Sequence, residues 1–199
     1  AEQDFDIVIS SRTGPEDTGT ITAAEKFPQL KFIQCLGTKS LPNLLPAHAR
    51  MFQTRYLSGL VAGYTLWERA PGKPAVVGYL ASFRNEEVYQ GLTAFALGLR
   101  AAHPMASLQM LCTQTWGDEV LERDAALFLI RHNTSLLAQH TDTTAPHEVF
   151  ARYHRPSIGY NSDLRAAVGD HVLTSPIVNW GDMFVHVILQ FTQGKWNAG

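Results

Sequence analysis

Polar and aromatic side chains follow five predicted strands at the points where those strands end. They are, in chain order, Ser10 and Ser11, Phe83, Trp116, Asp142, and Asn161 with Asp163. Because the carboxyl ends of parallel strands lie along one edge of a sheet, we expect the last five residues to converge there. Aromatic faces beside carboxylates and amides suit a flat heterocycle with hydrogen-bonding edges, with or without a sugar. The sequence therefore predicts a small-molecule site at this edge.

A second group of candidate binding residues lies at the end of the segment from Pro156 to Trp180. An apolar run from His171 to Ile177 carries a proline, which cannot donate to a central ladder, and Asn179 and Trp180 follow it. An amide beside an indole supplies hydrogen bonds and a flat apolar face to a pocket. Asn179 and Trp180 are therefore predicted to be ligand contacts as well.

Helix capping is the alternative explanation for two acids. Asp118 and Asp142 each precede a predicted helix and could serve only to cap it.

The two cysteines, Cys35 and Cys112, fall inside predicted strands, and we interpret them as buried thiols.

Motifs for catalysis or cofactor binding are missing from the sequence. None of the eight histidines has a metal-binding spacing of the HExxH type, and no GxSxG, P-loop or GxGxxG motif occurs. The pattern predicts binding without chemistry, with no metal and no cofactor.

The composition is that of a globular, lightly charged protein. Hydrophobic residues make up 45% of the 199 residues and charged residues 17%, and the formal net charge is -2. This charge, without a basic cluster, argues against nucleic acid as a partner. The amino terminus, AEQDFDIVIS, has no basic region followed by an apolar run, so no signal peptide is predicted in this chain.

The predicted elements alternate between strand and helix, which is typical of a parallel sheet with helices on both faces. The first strand covers Phe5 to Ile9, and the turn Arg12 to Pro15 precedes a helix that Asp17 or Thr18 could cap. A long helix from Ala47 to Trp67 carries Gly59 and Gly63 one turn apart, so another element is expected to pack closely there. Residues 70–74, APGKP, are the best linker candidate.

Seven ordered motifs resemble the basic membrane protein (BMP) family, the purine-nucleoside-type substrate-binding proteins of ABC importers. They are RYLSGLVAG, VGYLASF, GLTAFALG, TWGD, LAQHTD, IGYNSD and LTSPIVNWG. The resemblance implies a type I periplasmic-binding fold, in which two α/β lobes are joined by crossover strands. It implies a first lobe of residues 1–70 completed by 178–199, a second lobe of residues 75–172, and hinges near 70–75 and 173–177.

The same resemblance implies roles for individual residues. Trp116 matches the second aromatic that sandwiches the purine, and Asp142 lies in a ligand-binding loop. Asn161 and Asp163 match the two acids that hold the ribose, and Val178 stands where the family has a nucleoside-binding lysine. The implied ligand is a purine base or nucleoside, the implied partner is an ABC permease, and the implied location is periplasmic or extracellular, with a membrane anchor.

The family's opening βαβα stretch has no counterpart in this sequence, so the resemblance implies an incomplete first lobe. An exposed sheet edge is normally covered, which predicts a second copy or a second polypeptide on that lobe. The chain is therefore expected to be a non-enzymatic solute receptor. The alternative is a non-transport interaction or assembly protein that kept the fold with a degenerate pocket.

Overall fold

The computed structural model describes residues 5–11 and 18–198, and in these residues strands and helices alternate. The predicted turn from Arg12 to Pro15 and the cap Asp17 lie outside the described residues, and Thr18 is the first residue of its helix. The elements are β1 (Ile7–Ser10), α1 (Thr18–Lys26), β2 (Lys31–Cys35), β3 (Leu44–Ala47), α2 (Met51–Arg69), β4 (Ala75–Ala81), α3 (Glu86–Ala102), β5 (Ala106–Cys112), α4 (Glu119–Arg131), β6 (Leu136–His140), α5 (Ala145–Arg152), β7 (Ser157–Ile158), α6 (Leu164–Val168), β8 (Val172–Thr174) and α7 (Trp180–Thr192).

The chain divides into two compact units. The first comprises Ala1–Ala49 and Asn179–Gly199, and the second comprises Arg50–Val178. The boundary therefore differs from the predicted one, because α2 belongs to the second unit, where it packs along α3. Residues 70–75, predicted to form a hinge, connect α2 to β4 inside the second unit.

The first unit contains a three-stranded parallel sheet in the order β1-β2-β3. Helix α1 buries Ala24 against Phe32 and Leu44. The Asn43 amide group donates to the carbonyl oxygens of Ala24, Phe27 and Leu30 at 2.9, 3.2 and 3.0 Å, which ties the end of α1 to the start of β3. Helix α7 also belongs to this unit.

The second unit contains a five-stranded parallel sheet in the order β5-β4-β6-β7-β8. One core cluster packs α2 and α3 residues against Tyr79, Leu136 and Ile158, and another packs α4 and α5 residues against Leu80 and Leu137. Burial of both faces is what parallel sheets require, since their crossover helices cover both sides. This arrangement confirms the predicted α/β class.

Helices α2 and α3 cross at unusually close range. A Cβ atom added at Gly59 would lie 2.2 Å from the Phe95 carbonyl oxygen, and one added at Gly98 would lie 2.1 Å from the Tyr56 carbonyl oxygen. A Cβ at Gly63 would meet Ala102 at 2.7 Å. The close packing predicted from Gly59 and Gly63 is confirmed.

Two details differ from the sequence prediction. The long helix predicted to begin at Ala47 begins at Met51, because Leu44–Ala47 form the strand β3. The short helix α6 was not predicted.

Candidate functional site

The carboxyl ends of the strands in the second unit carry the candidate site. Strands β4, β5, β6 and β7 end at Ala81, Cys112, His140 and Ile158. Because these strands are parallel, the loops that follow them leave from the same edge of the sheet. Five predicted site residues lie in these loops: Phe83, Trp116, Asp142, Asn161 and Asp163.

Aromatic rings cluster at this edge. The ring centroids of Phe83 and Trp116 lie 5.9 Å apart in an edge-to-face arrangement. The indole of Trp116 lies 6.5 Å from the Tyr160 ring, with only 17° between their planes. His140 contacts both rings, at 6.1 Å from Trp116 and 4.6 Å from Tyr160. The structure thus brings Phe83 and Trp116 together, as the strand ends predicted.

Two hydrogen bonds link His140, a member of this aromatic cluster, to Tyr79 and to Glu87. The Tyr79 hydroxyl lies 2.8 Å from Nδ1 of His140, and Nε2 of His140 lies 3.1 Å from the Glu87 carboxylate. A neutral imidazole with its proton on Nε2 satisfies both contacts, since the hydroxyl then donates to Nδ1 and Nε2 donates to Glu87. Tyr79 and His140 are completely buried, so these two hydrogen bonds hold the ring of His140 in one orientation.

Arg55 brings a buried positive charge to the same place. Its Nη1 donates to the Gln139 carbonyl oxygen at 2.7 Å, and its guanidinium lies 4.5 Å from the centre of the Tyr160 ring. Within residues 5–11 and 18–198, its Nε and Nη2 atoms have no hydrogen-bond partner. A buried guanidinium is costly without a compensating charge, and the nearby Glu87 carboxylate supplies one.

Burial and charge set the protonation of this cluster. Burial, with the charge of Arg55, lowers the pKa of His140 to about 4 against the opposing effect of Glu87. Burial raises the pKa of Tyr79 to about 12 and also raises that of Tyr160. For Glu87, burial favours a higher pKa, but the hydrogen bond from His140 and the charge of Arg55 outweigh it, and the pKa is lowered. At neutral pH the cluster therefore combines a neutral imidazole, an ionised carboxylate and two protonated phenols.

Asp142 is exposed beside Trp116. Its backbone N–H donates to the Trp116 carbonyl oxygen at 2.7 Å, so the loops after β5 and β6 are joined directly. Burial of part of the carboxyl group, followed by the charges of Glu122 and Glu87, raises the pKa of Asp142. Thr144, not Asp142, occupies the N-cap position of α5.

Other residues that the sequence analysis singled out cap helices or occupy a turn. Asp118 caps α4, accepting from the N–H groups of Val120 and Leu121 at 3.0 Å each. The Asp163 carboxylate accepts from the N–H of Arg165 at 3.2 Å and caps α6. Asn161 adopts a left-handed conformation with φ of 62°, which asparagine tolerates well. The side chains of Asn161 and Asp163 are exposed, so both remain accessible at the edge.

Four predicted site residues belong to the first unit. Ser10 ends β1 and Ser11 follows it, while Asn179 caps α7 and Trp180 begins that helix. Nδ2 of Asn179 donates to the Asp182 carboxylate at 2.6 Å, and the Trp180 ring stacks on Phe184 at 6.0 Å. Their part in ligand binding stays a prediction.

Sequence reasoning missed four polar residues of the site: Arg55, Tyr79 and His140, which are buried, and Glu87, which is partly exposed. One signal was available in α2, where Arg55 stands four residues before Gly59 on the buried stripe of the helix. A second was available in β6, where the adjacent residues Gln139 and His140 point to opposite faces of a buried strand. Polar residues on both buried faces must be hydrogen-bonded, which marks a network.

The described residues give no sign of a metal centre or a membrane span. No group of three or more His, Cys, Asp or Glu side chains in residues 5–11 and 18–198 could hold a metal ion. In the same residues, no helix is both long and apolar enough to cross a bilayer. Cys35 and Cys112 are both free thiols, the first buried and the second partly so.

Comparison with known families decides the assignment. The sequence matches the family of PnrA-like ABC transporter substrate-binding proteins over residues 1–199. The chain belongs to this family. The predicted BMP resemblance is thereby confirmed, and with it the coarse class of solute-binding protein.

Two curated relatives differ in what they are named for. A purine-binding protein of Brucella abortus is 30% identical over 179 residues, which is 90% of this chain and 49% of that protein. An ABC transporter glucose-binding protein of Haloferax volcanii is 27% identical over 198 residues, which is 100% of this chain and 49% of that protein. This PnrA-like chain therefore spans about half the length of the curated relatives it matches.

Solved structures confirm the predicted type I periplasmic-binding fold. An ABC transporter solute-binding protein from Aeropyrum pernix has a TM-score of 0.82 at 14% identity, covering 98% of this chain and 56% of its own. Another, from Conexibacter woesei, has a TM-score of 0.70 at 22% identity, covering 98% of this chain and 64% of its own. At these identities the likeness concerns the fold alone.

Proposed function

We propose that this chain is the solute-binding component of an ABC importer and that it binds a purine base or nucleoside. The observation that carries the proposal is the Phe83–Trp116 pair beside Asp142 at the carboxyl edge of the second sheet. Two aromatic rings provide a stacking surface for a planar base, and a carboxyl group next to them can hydrogen-bond the edge of that base.

A purine is preferred to a sugar for two reasons. The Brucella abortus relative, named a purine-binding protein, is more similar in sequence than the glucose-binding one, at 30% against 27% identity. The side chain of Val178, which stands where the family resemblance implies a nucleoside-binding lysine, cannot hydrogen-bond a hydroxyl group. A free base therefore fits better than a ligand recognised through many hydroxyl groups.

The remaining contacts of the proposal rest on residues that the sequence analysis singled out. Asn161 and Asp163 would hold a ribose if the ligand is a nucleoside. Ser10, Ser11, Asn179 and Trp180 are proposed as ligand contacts from the sequence pattern alone. The proposed partner is an ABC permease, and the proposed location is periplasmic or extracellular.

A second candidate function is a role in assembly, and helix α7 favours it. In the described residues, no side chain of this apolar helix is buried, and Val185 and Leu189 are 57% and 52% exposed. Exposed apolar faces of this kind mark interaction surfaces. We propose that a second copy of the chain covers it, because two-fold homodimers are the commonest assembly.

A fluorescence titration tests the binding proposal. The chain has four tryptophans, so the Trp116→Phe variant identifies the signal that comes from position 116. Adenine should quench the wild-type emission, and the loss of stacking in Trp116→Ala should weaken binding by about 1–3 kcal/mol, or roughly 5- to 150-fold in Kd. Glucose is titrated in the same way as the alternative ligand. Saturable binding of glucose without any response to purines would overturn the proposal.

A further inference from the structure

Two loops at the candidate site are joined by more than one bond. The loop after β5 carries Trp116, and the loop after β6 carries Asp142, whose N–H donates to the Trp116 carbonyl oxygen. The side chain of Glu122, in the first turn of α4, forms hydrogen bonds with both loops. None of the sequence motifs pointed to this residue.

The Glu122 carboxyl group is completely buried and accepts hydrogen bonds from both loops. Its Oε2 atom accepts from the hydroxyl groups of Thr141 and Thr143, at 2.6 and 2.9 Å. Its Oε1 atom accepts from the backbone N–H of Asp118 at 3.3 Å. Thr141 and Thr143 flank Asp142, so one carboxyl group fixes the residues on both sides of it.

Further buried groups form hydrogen bonds with Glu122 or with its partner Gln139. The Gln139 amide group donates to Oε2 of Glu122 at 3.2 Å and to the Thr143 carbonyl oxygen at 2.6 Å. The side-chain Oε1 atom of Gln139 accepts from Nε2 of His147, whose Nδ1 accepts from the Ser157 hydroxyl at 2.8 Å. Glu122, Gln139, His147 and Ser157 are all 0% exposed. A buried carboxyl group with this many donors is well satisfied, and such networks make their surroundings rigid.

We propose that Glu122 is a positioning residue for ligand binding, which fixes the distance between Trp116 and Asp142 without touching the ligand. This inference rests on the proposed function, since it assumes that Trp116 and Asp142 both contact the solute. Preorganisation of this kind strengthens binding because the loops need not be ordered when the ligand arrives.

Glu122 also acts on Asp142 through its charge. The charged and titratable groups that face Asp142 are Glu122 on α4, Glu87 on α3 and Tyr160 after β7. Burial and the two negative charges raise the pKa of Asp142. Replacing Glu122 with a neutral residue removes one repulsion, so the ionised form of Asp142 is favoured and its pKa falls. The titration of Asp142 therefore reports that Glu122 lies close to it, whereas the Kd reports whether Glu122 positions the loops.

The test compares Glu122→Gln with Glu119→Gln. Glu119 makes the matched control because it lies on the same first turn of α4, carries the same charge and is exposed. Two quantities are measured on the whole chain: the midpoint of the Asp142 carboxyl titration, by ¹³C NMR without ligand, and the Kd for adenine, by calorimetry. Glu122→Gln should lower the midpoint and raise the Kd about tenfold, as expected when a buried hydrogen-bond network is broken. Glu119→Gln should change neither.

A second variant separates position from charge. Thr143→Val removes one donor to Glu122 while keeping the shape of the side chain and the carboxyl charge, so it should raise the Kd for adenine and leave the Asp142 midpoint near the wild-type value. It also decides the matter if Glu122→Gln does not fold. A folded Glu122→Gln variant that matches Glu119→Gln, or a Thr143→Val variant with wild-type Kd, overturns the positioning role. If the wild type binds no purine, the proposed function fails, and amide hydrogen exchange of Asp142 without ligand then decides the positioning role. The N–H that donates to the Trp116 carbonyl oxygen should lose protection in Glu122→Gln and in Thr143→Val, and unchanged protection overturns the inference.

Discussion

A single methyl group at the α2–α3 crossing should destabilise the second unit. At Gly59, the added Cβ of an alanine would lie 2.2 Å from the Phe95 carbonyl oxygen, whereas ordinary contacts begin at 3.4 Å. The helices would have to separate by about 1 Å, because the obstructing atom is backbone and cannot rotate away. The crossing positions Arg55 on α2 and Glu87 on α3, so the change also reaches the candidate site.

The magnitude follows from two opposing effects. Overpacking of this kind costs typically about 1–3 kcal/mol and occasionally more, and a rigid obstruction belongs at the upper end. Alanine is the better helix former and recovers about 1 kcal/mol. The net loss for Gly59→Ala should therefore be about 2 kcal/mol, which lowers the Tm of a chain of this size by roughly 4–8 °C.

Urea unfolding followed by circular dichroism measures this loss. Gly181→Ala is the control, because Gly181 also lies in a helix but its added Cβ would meet its nearest atom at 3.6 Å. That variant should be as stable as the wild type or slightly more so. A Gly59→Ala variant with an unchanged unfolding midpoint would refute the close crossing.

Three further predictions concern pH, the polar pair and assembly. His140 and His147 both have pKa values lowered to about 4 by burial, so the unfolded chain binds more protons below pH 6.5 and stability falls as the solution becomes more acidic. Between pH 7 and 5 the loss should be about 2 kcal/mol for each histidine, measured by urea unfolding at each pH. Asp163→Ala should weaken purine binding more than Asn161→Ala, because a charged partner is lost, and calorimetry would show the difference. Static light scattering should give the mass of a homodimer, formed through the exposed face of α7.

Each of these has a clear contrary result. His147→Gln should reduce the acid-induced loss by about half, so a variant with the wild-type pH dependence would contradict the role of burial. Equal and negligible effects of Asp163→Ala and Asn161→Ala would make the pair only a turn and a cap. A folded monomer at high micromolar concentration would contradict the dimer.

Much of the fold could be predicted because local pattern and tertiary packing agree. The alternation of apolar runs with amphipathic helices gave the parallel sheets, and Gly59 and Gly63 gave the close crossing. Strand β3 was missed because it is four residues long and contains Pro46. The compact units divide at Arg50 and not near residue 70, since this division depends on which neighbours α2 packs against, whereas Pro71 and Pro74 are only local breaker signals.

The site was predictable only where it lies in loops. Phe83 and Trp116 follow strands directly, so the sheet topology alone brings them together. Glu87 and Glu122 come from helices, and their partners His140 and Thr141 depend on how each helix is rotated and placed over the sheet. That placement is a property of the packed core, which periodicity does not specify. The partners of these polar side chains are therefore the part of this site that requires a structure.

Isothermal titration of the purified chain with adenine, adenosine, guanosine, inosine and glucose tests the central claim most directly. Our account predicts saturable heats with at least one purine, a stoichiometry of one ligand per chain and a weaker response in Trp116→Ala. It also predicts no saturable binding of glucose. Saturation by glucose alone, or the same purine affinity in wild type and Trp116→Ala, would contradict it.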